Sequence, residues 1–261
     1  LETTASGGYS TALGFYTDAL GNYSTAMGEQ TTASGVRSTA MGSGTNASGS
    51  LSTAMGSGTN ASGTTSTAMG YNTIASGLRS LATGSGTNAS GDWSTAFGTN
   101  TTASGNNSTA MGWGTTSLSL SETVIGAYNT SYTPVSTGAW NTADRLFVVG
   151  NGTGLGAESN ALIIYKNGTM NINDAYDMPT ADGLAGQVMT TNGAGVVSFQ
   201  TIGGNHNTLD MAYDEGGAGA GRQIDATDGA VRVNGDDGFI VTGTYGSGDL
   251  IEVSGAGTRM F

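Results

Sequence analysis

Over residues 1–114 one position in every fourteen carries a large apolar side chain in seven units of eight, and small residues fill most of the rest. The recurring position reads Leu13, Met27, Met41, Met55, Met69, Thr83, Phe97, Met111. Around it the small residues keep an equally strict order. Gly stands at every seventh position from Gly7 to Gly112, and Ala stands two residues earlier, from Ala5 to Ala110. Two residues before each Ala, Thr and Ser alternate: Thr3, Ser10, Thr17, Ser24, and so on to Thr101 and Ser108. The unit is therefore fourteen residues long, T-x-A-S-G-x-x-S-T-A-M-G-x-x, and eight units fit between Thr3 and Gly114.

A period of seven is also the coiled-coil period, but that seam needs two large apolar groups per heptad among helix formers. One Gly per heptad would cost a helix about 1 kcal/mol each time relative to Ala. Five-residue strands with alternating faces, joined by two-residue turns that begin with Gly, fit better. Gly supplies the positive φ expected of such turns. Two strands and two turns per unit make one coil of a narrow parallel β-solenoid. At about 4.8 Å per coil, eight coils span about 38 Å.

Alternation assigns the faces. In the unit beginning at Thr31, Thr31, Ala33, Ser38 and Ala40 share the inner face. Thr32, Ser34, Thr39 and Met41 point out. The outer position of the first strand reads Thr32, Asn46, Asn60, Ile74, Asn88, Thr102, and Asn resists burial without partners. In the opposite phase the Met ladder is the core of the roll. Against that alternative, Ala is the only side chain common to both strands, as a shared interior requires. With Met outside, each chain carries an apolar stripe of the kind that marks an interface. A closed ring of identical copies buries it best. The expectation is a homotrimer with Leu13, Met27, Met41, Met55, Met69, Phe97 and Met111 facing its axis.

The units "NYSTAMGEQTTASG" and "DWSTAFGTNTTASG", with the looser "SETVIGAYNT" after them, resemble the head repeats of the YadA-type trimeric autotransporter adhesins. The resemblance covers residues 3–129. It implies a left-handed parallel β-roll, a trimeric head, adhesion to host matrix or other surfaces, and no catalysis.

Beyond the repeat the pattern loosens. It fails at Ser117 and Ser119, where Ala and Gly were due, and a degenerate coil ends at Gly126. After "AYNTSYTPVSTGAWNTA", two β-rich runs at 146–149 and 161–165 flank a Gly-rich loop. Asn167-Gly168 reads as a hairpin turn. This passage is similar to the neck segments of surface and phage-like fibres, and that likeness implies strands swapped between chains. Residues 178–201 resemble a module of bacterial and phage fibre proteins, with "TNGAGVVSF" as a hairpin. Further short β runs with Gly-Asp turns follow, and "NTLDMAYD" is the one short helix candidate. The expected organisation is an all-β chain: head repeats over 1–129, a neck-like segment over 130–175, a fibre hairpin over 176–204, and an incomplete β-rich module over 205–261. The repeat already runs at Leu1 and the last segment looks unfinished at Phe261, so the chain reads as a piece of a longer polypeptide.

Composition narrows the function. The net charge is -12 with seven basic residues, which argues against nucleic acid or an anionic membrane as partner. Cysteine is absent, so no disulfide framework exists. No run of about 18 apolar residues is present to span a membrane. His206 is the only histidine and lies in the polar run "GGNHNT", which fits a surface loop better than a catalytic triad. One His and no Cys exclude the usual zinc sites. Asp225, Asp228, Asp236 and Asp237 lack calcium-loop spacing and read as solvated turns. "GNGTGLG" lacks the Lys and Ser/Thr of a phosphate loop. Asn46, Asn60 and Asn88 begin N-x-S sequons, which a repeat of Asn, Ala and Ser produces by chance. No cofactor, metal or catalytic residue is expected. The expected function is a structural and adhesive segment of an extracellular trimeric fibre with an unknown surface ligand. The alternative is a tail fibre of a phage or contractile injection apparatus.

Overall fold

The computed structural model describes residues 2–201. Among them are strands, turns and loops, and no helix. The helix candidate at 207–214, His206 and the Asp-rich turns lie outside the described residues, as does the module at 205–261.

Nine coils stack between residues 3 and 128, each adding one strand to each of two parallel sheets. The register is fourteen residues throughout: Thr32 pairs with Asn46, Ala33 with Ala47 and Met41 with Met55. The two strands of a coil differ in length, which corrects the expectation of two five-residue strands. In the third coil one is Thr32–Ala33 and the other is Thr39–Ser43. The first is cut short by a tight turn. The Ser38 amide donates to the Gly35 carbonyl at 3.2 Å, and Arg37 takes φ 57°. Residues 34–37 are therefore consumed in reversing the chain.

The interior is the one that alternation assigned. The Ala column from Ala19 to Ala110 is fully buried, and the Thr and Ser columns beside it are almost fully buried. Met lies outside. A space between two backbones this close takes Ala, Ser and Thr and little else. The Ser hydroxyls have a local acceptor. Ser10 and Ser80 donate to the carbonyls of Gly7 and Gly77, three residues back, at 2.7 and 2.8 Å. Ser24, Ser38, Ser52, Ser66 and Ser94 lack that bond, but the same carbonyl lies one χ1 rotation away.

The glycines are there for a reason that reaches beyond the expected one. A Cβ on Gly35 would sit 2.0 Å from the Gly49 carbonyl oxygen, and one on Gly42 would sit 1.9 Å from that of Gly56. Both columns exist because the next coil's backbone fills the space. Only the second also has positive φ, 125° at Gly42. The left-handed turn positions fall elsewhere and accept many residues: Tyr23, Arg37, Leu51, Thr65 and Trp93 at one corner, and Gln30, Gly44, Asn72 and Asn100 at the other. What unites them is the direction of the amide. Strand amides donate to the following coil, as Thr32 does to the Thr45 carbonyl at 2.8 Å. Left-handed residues donate to the preceding one, as Arg37 does to Asn22 and Gly44 to Glu29, both at 2.8 Å. Each coil is thus bonded in both directions.

The ninth coil, residues 115–128, is complete rather than degenerate. Its short strand is Thr116–Ser117 and its long strand Thr123–Ala127. Gly105 must still be Gly, because its Cβ would lie 2.0 Å from the Ser119 carbonyl oxygen. No further short strand stacks on Ser119, so a side chain fits there, and its hydroxyl donates to the Arg145 carbonyl at 2.8 Å. The long sheet continues. Strand Arg145–Asn151 adds parallel to the ninth coil, with Val148 beside Val124 and Val149 beside Ile125. Asn160–Tyr165, Met170–Ile172 and Tyr176–Asp177 follow antiparallel. The core changes with them, from Ala to Val124, Val148 and Ile163. Strands Gln187–Thr191 and Val197–Thr201 form the hairpin read from "TNGAGVVSF".

The stacking argument is testable at one atom. Gly63→Ala places its Cβ 2.0 Å from the Gly77 carbonyl oxygen. It is expected to destabilise the chain by about 3 kcal/mol or more, whereas Ser62→Ala, on the exposed side of the same turn, stays within about 0.5 kcal/mol. Urea denaturation followed by far-UV circular dichroism reads both, and equal midpoints would contradict the account.

Candidate interaction surface

The long sheet turns one apolar column to solvent. Leu13 is 62 % exposed, Met41 37 %, Phe97 55 % and Met111 41 %. Met27, Met55 and Met69 are partly covered by their neighbours in the column. All seven residues expected at an interface therefore stand on one face. Strand pairing holds them in line: Leu13 beside Met27, Met27 beside Met41, and so on to Phe97 beside Met111, with Thr83 between Met69 and Phe97.

The column is longer than the fourteen-residue repeat alone indicates. It continues through Ile125, Val149, Leu162 and Ile172. Ile125 was legible, since "TVIG" at 123–126 keeps the places of "TAMG". Val149 was hidden, because its Gly150 follows Gly126 after an excursion rather than at the repeat interval. The aligned "FVVG" at 147–150 was the available signal.

The short sheet presents a different chemistry. From the third to the eighth coil its outward positions are Thr32, Asn46, Asn60, Asn88 and Thr102, with Ile74 the exception, and Ser34, Ser48 and Ser62 are exposed beside them. Aromatic rings collect at the coil corners. Tyr9 and Tyr23 stack with centroids 5.2 Å apart, and the Arg37 guanidinium lies over the Tyr23 ring at 5.7 Å. Trp93 and Trp113 are exposed farther along.

The solenoid closes on a buried polar cluster that motif and spacing did not single out. Glu122 occupies the inward Ser position of the ninth coil and is fully buried. Its Oε2 accepts from the Leu118 and Ser119 amides at 2.7 and 2.8 Å and from the Tyr132 hydroxyl at 3.3 Å. Its Oε1 has no partner. Arg145 lies over the Tyr132 ring at 4.3 Å and donates to the Thr130 carbonyl at 2.7 Å. Lys166 donates to the Ser119 hydroxyl at 2.9 Å, with its ammonium over Trp140. Asp144 accepts from the amides of Val135 and Ser136 at 2.7 and 3.1 Å. Burial raises the Glu122 carboxyl above its usual value, against the pull of the two amides, Arg145 and Tyr132. Burial pushes the Tyr132 hydroxyl up to about 12. It also lowers Lys166, against the pull of Asp144 and Glu122. A carboxylate in a place reserved for Ser is the signal that marks the cap.

The cap carries a pH signature. The folded chain holds the Glu122 proton to higher pH than the unfolded chain does. Its contribution is therefore complete below the ordinary Glu value of 4.5 and is lost as pH rises through the raised one. The parent is expected to fall behind Glu122→Gln in melting temperature as pH rises from about 4 to about 8, the window spanning the ordinary Glu pKa and neutrality. A gap that stays constant with pH would contradict it.

Against known families, the chain matches the YadA head domain repeat over residues 2–17, 19–45, 47–73, 61–87, 75–100 and 89–115. A search of the curated proteins found no match. The matches run through eight of the nine coils and carry the outward Leu13-to-Met111 column with them. YadA head domain repeats are therefore detected from residue 2 to residue 115, consistent with the head repeats of the trimeric autotransporter adhesins.

Proposed function

We propose that the chain is the head segment of a homotrimeric fibre exposed at a cell surface, where it mediates attachment. The observation that carries this reading is the apolar column on the long sheet, interrupted at Thr83 and set against Ser, Thr and Asn on the short one. Heads of this family form homotrimers in general. A three-fold axis running along the solenoid buries one stripe from each chain in a closed ring. Fully burying an exposed Met contributes about 1.5–3 kcal/mol, and the five that recur along the column, already partly covered, each contribute a fraction of that. Leu13, Met27, Met41, Met55, Met69, Phe97 and Met111 face the axis in this arrangement, and Ile125 and Val149 extend it.

The rest of the surface is then the part that meets a host. It offers Asn, Ser and Thr rows on the short sheet and aromatic corners at Tyr9, Tyr23 and Trp93. No helix of the described residues is long and apolar enough to cross a membrane. The segment over 130–175 acts as the neck that joins the head to the rest of the fibre, and the long sheet runs into it without a break.

Two measurements test the proposal. Light scattering is expected to return three copies for the parent and a single copy for Met55→Asp, because three carboxylates would meet in an apolar centre. Asn60→Asp, on the opposite sheet, is expected to leave three. A monomeric parent would refute the trimer. Attachment is read separately, by displaying the chain on inert bacteria and counting cells retained on matrix-coated plates. Retention no greater than that of undecorated cells would remove the adhesive role.

A further inference from the structure

The outward column is uniform over four coils and then broken over two. Met27, Met41, Met55 and Met69 follow one another in register, each two residues after an outward Thr. In the sixth coil Leu81 stands in the Thr position, beside Thr67, and Thr83 stands in the Met position, beside Met69. In the seventh coil Phe97 takes the Met position directly beside Thr83. Leu81 and Thr83 are half-buried, and the Phe97 ring is 55 % exposed.

Uniform rungs leave an assembly ambiguous. A three-fold axis puts the same coil of each copy at the same level. A copy shifted by one coil, about 4.8 Å, would set Met against Met almost as well. Register is weakly specified wherever successive positions are alike. The broken rungs remove that freedom. Three Phe97 rings at one level crowd the axis, and three Thr83 side chains at the next level leave the room they need. Leu81 keeps the sixth rung apolar one position to the side. A copy shifted by one coil would replace a Phe by Met or Thr at the crowded level. It would also drive a Met or Phe into the Thr level, so one level is left with a gap and the other overfilled.

We infer that Leu81, Thr83 and Phe97 form a register key, which fixes which coil meets which when a second and third copy of this chain pack on the Met column. The inference rests on the trimer proposed above. It adds what that trimer alone does not contain, a device against sliding.

The chain has no cysteine, so introduced thiols report alone. In an in-register trimer, Met55→Cys brings like positions together at the axis and forms a disulfide between copies. Met41→Cys and Met69→Cys, carried on separate co-expressed full chains of which one is tagged, lie two coils apart. That is about 9.5 Å, beyond the roughly 7 Å that a disulfide spans between Cα atoms. They are expected to give no mixed disulfide in the parent background. In the evened background L81T/T83M/F97M, a one-coil slip brings them within reach, and the mixed band is expected to appear with the trimer mass unchanged. The key is overturned if the evened background shows no mixed band, or if the parent background shows the same band. A chain that stays monomeric and forms no Met55→Cys disulfide overturns the trimer itself, and the key with it.

Discussion

Successive coils of this solenoid lie so close that two positions in each cannot carry a Cβ. At Gly35 and Gly42 the added atom would fall about 2 Å from the carbonyl of the coil that follows. The other regularities descend from that approach. It fixes a glycine every seven residues. It leaves an interior two backbones wide, which only Ala, Ser and Thr fill. It also makes the fold additive: each coil is bonded to the next by strand amides and to the one before by its two left-handed corner amides. A coil has no core of its own, and its stability lies in its neighbours.

An interior of small side chains has a second consequence. The apolar mass that most domains place inside has no room there, so it is displaced to the surface, where it lines up by default. Strand register then converts a repeated residue into a continuous column. A head of this kind presents its largest hydrophobes outward for the same geometric reason that it presents Ala inward. Association of copies is the natural completion of such a fold, since the hydrophobic effect that a globular domain uses within one chain acts here between chains.

Most of this was legible in the sequence because the constraint is local and periodic. The coil length, the inward Ala and the outward Met follow from counting residues and from the two-residue alternation of a strand. The strand lengths did not, because the turn read as the two residues Gly35-Val36 also takes up Ser34 and Arg37. The role of glycine was read only in part, since the positive φ holds for the Gly42 column and not for the Gly35 column. Positive φ is a property of one residue, whereas the clash that forbids Cβ is with a coil fourteen residues away. The corner positions show how little the turn itself asks for, since Leu51, Thr65 and Trp93 all adopt its left-handed conformation. Beyond residue 128 the period ends, and contacts such as Val148 with Val124 or Lys166 with Ser119 join residues that no spacing relates.

The end of the solenoid is where that locality breaks down, and its residues change accordingly. A stack that adds coils by repetition has no internal reason to stop, so stopping requires side chains incompatible with another coil. Ser119 in the Gly column is one, because its side chain occupies the space that the next short strand would need. Glu122 in the Ser column is another. A buried carboxyl group is costly, and at this one place the Leu118 and Ser119 amides, Tyr132 and Arg145 offset part of that cost. Repeating it every fourteen residues would stack buried carboxyl groups along the solenoid with nothing to offset them. The charged cap and the uncharged repeat are therefore complementary solutions. Inside the stack every side chain must tolerate a copy of itself one coil away, and at the end two side chains are placed that cannot.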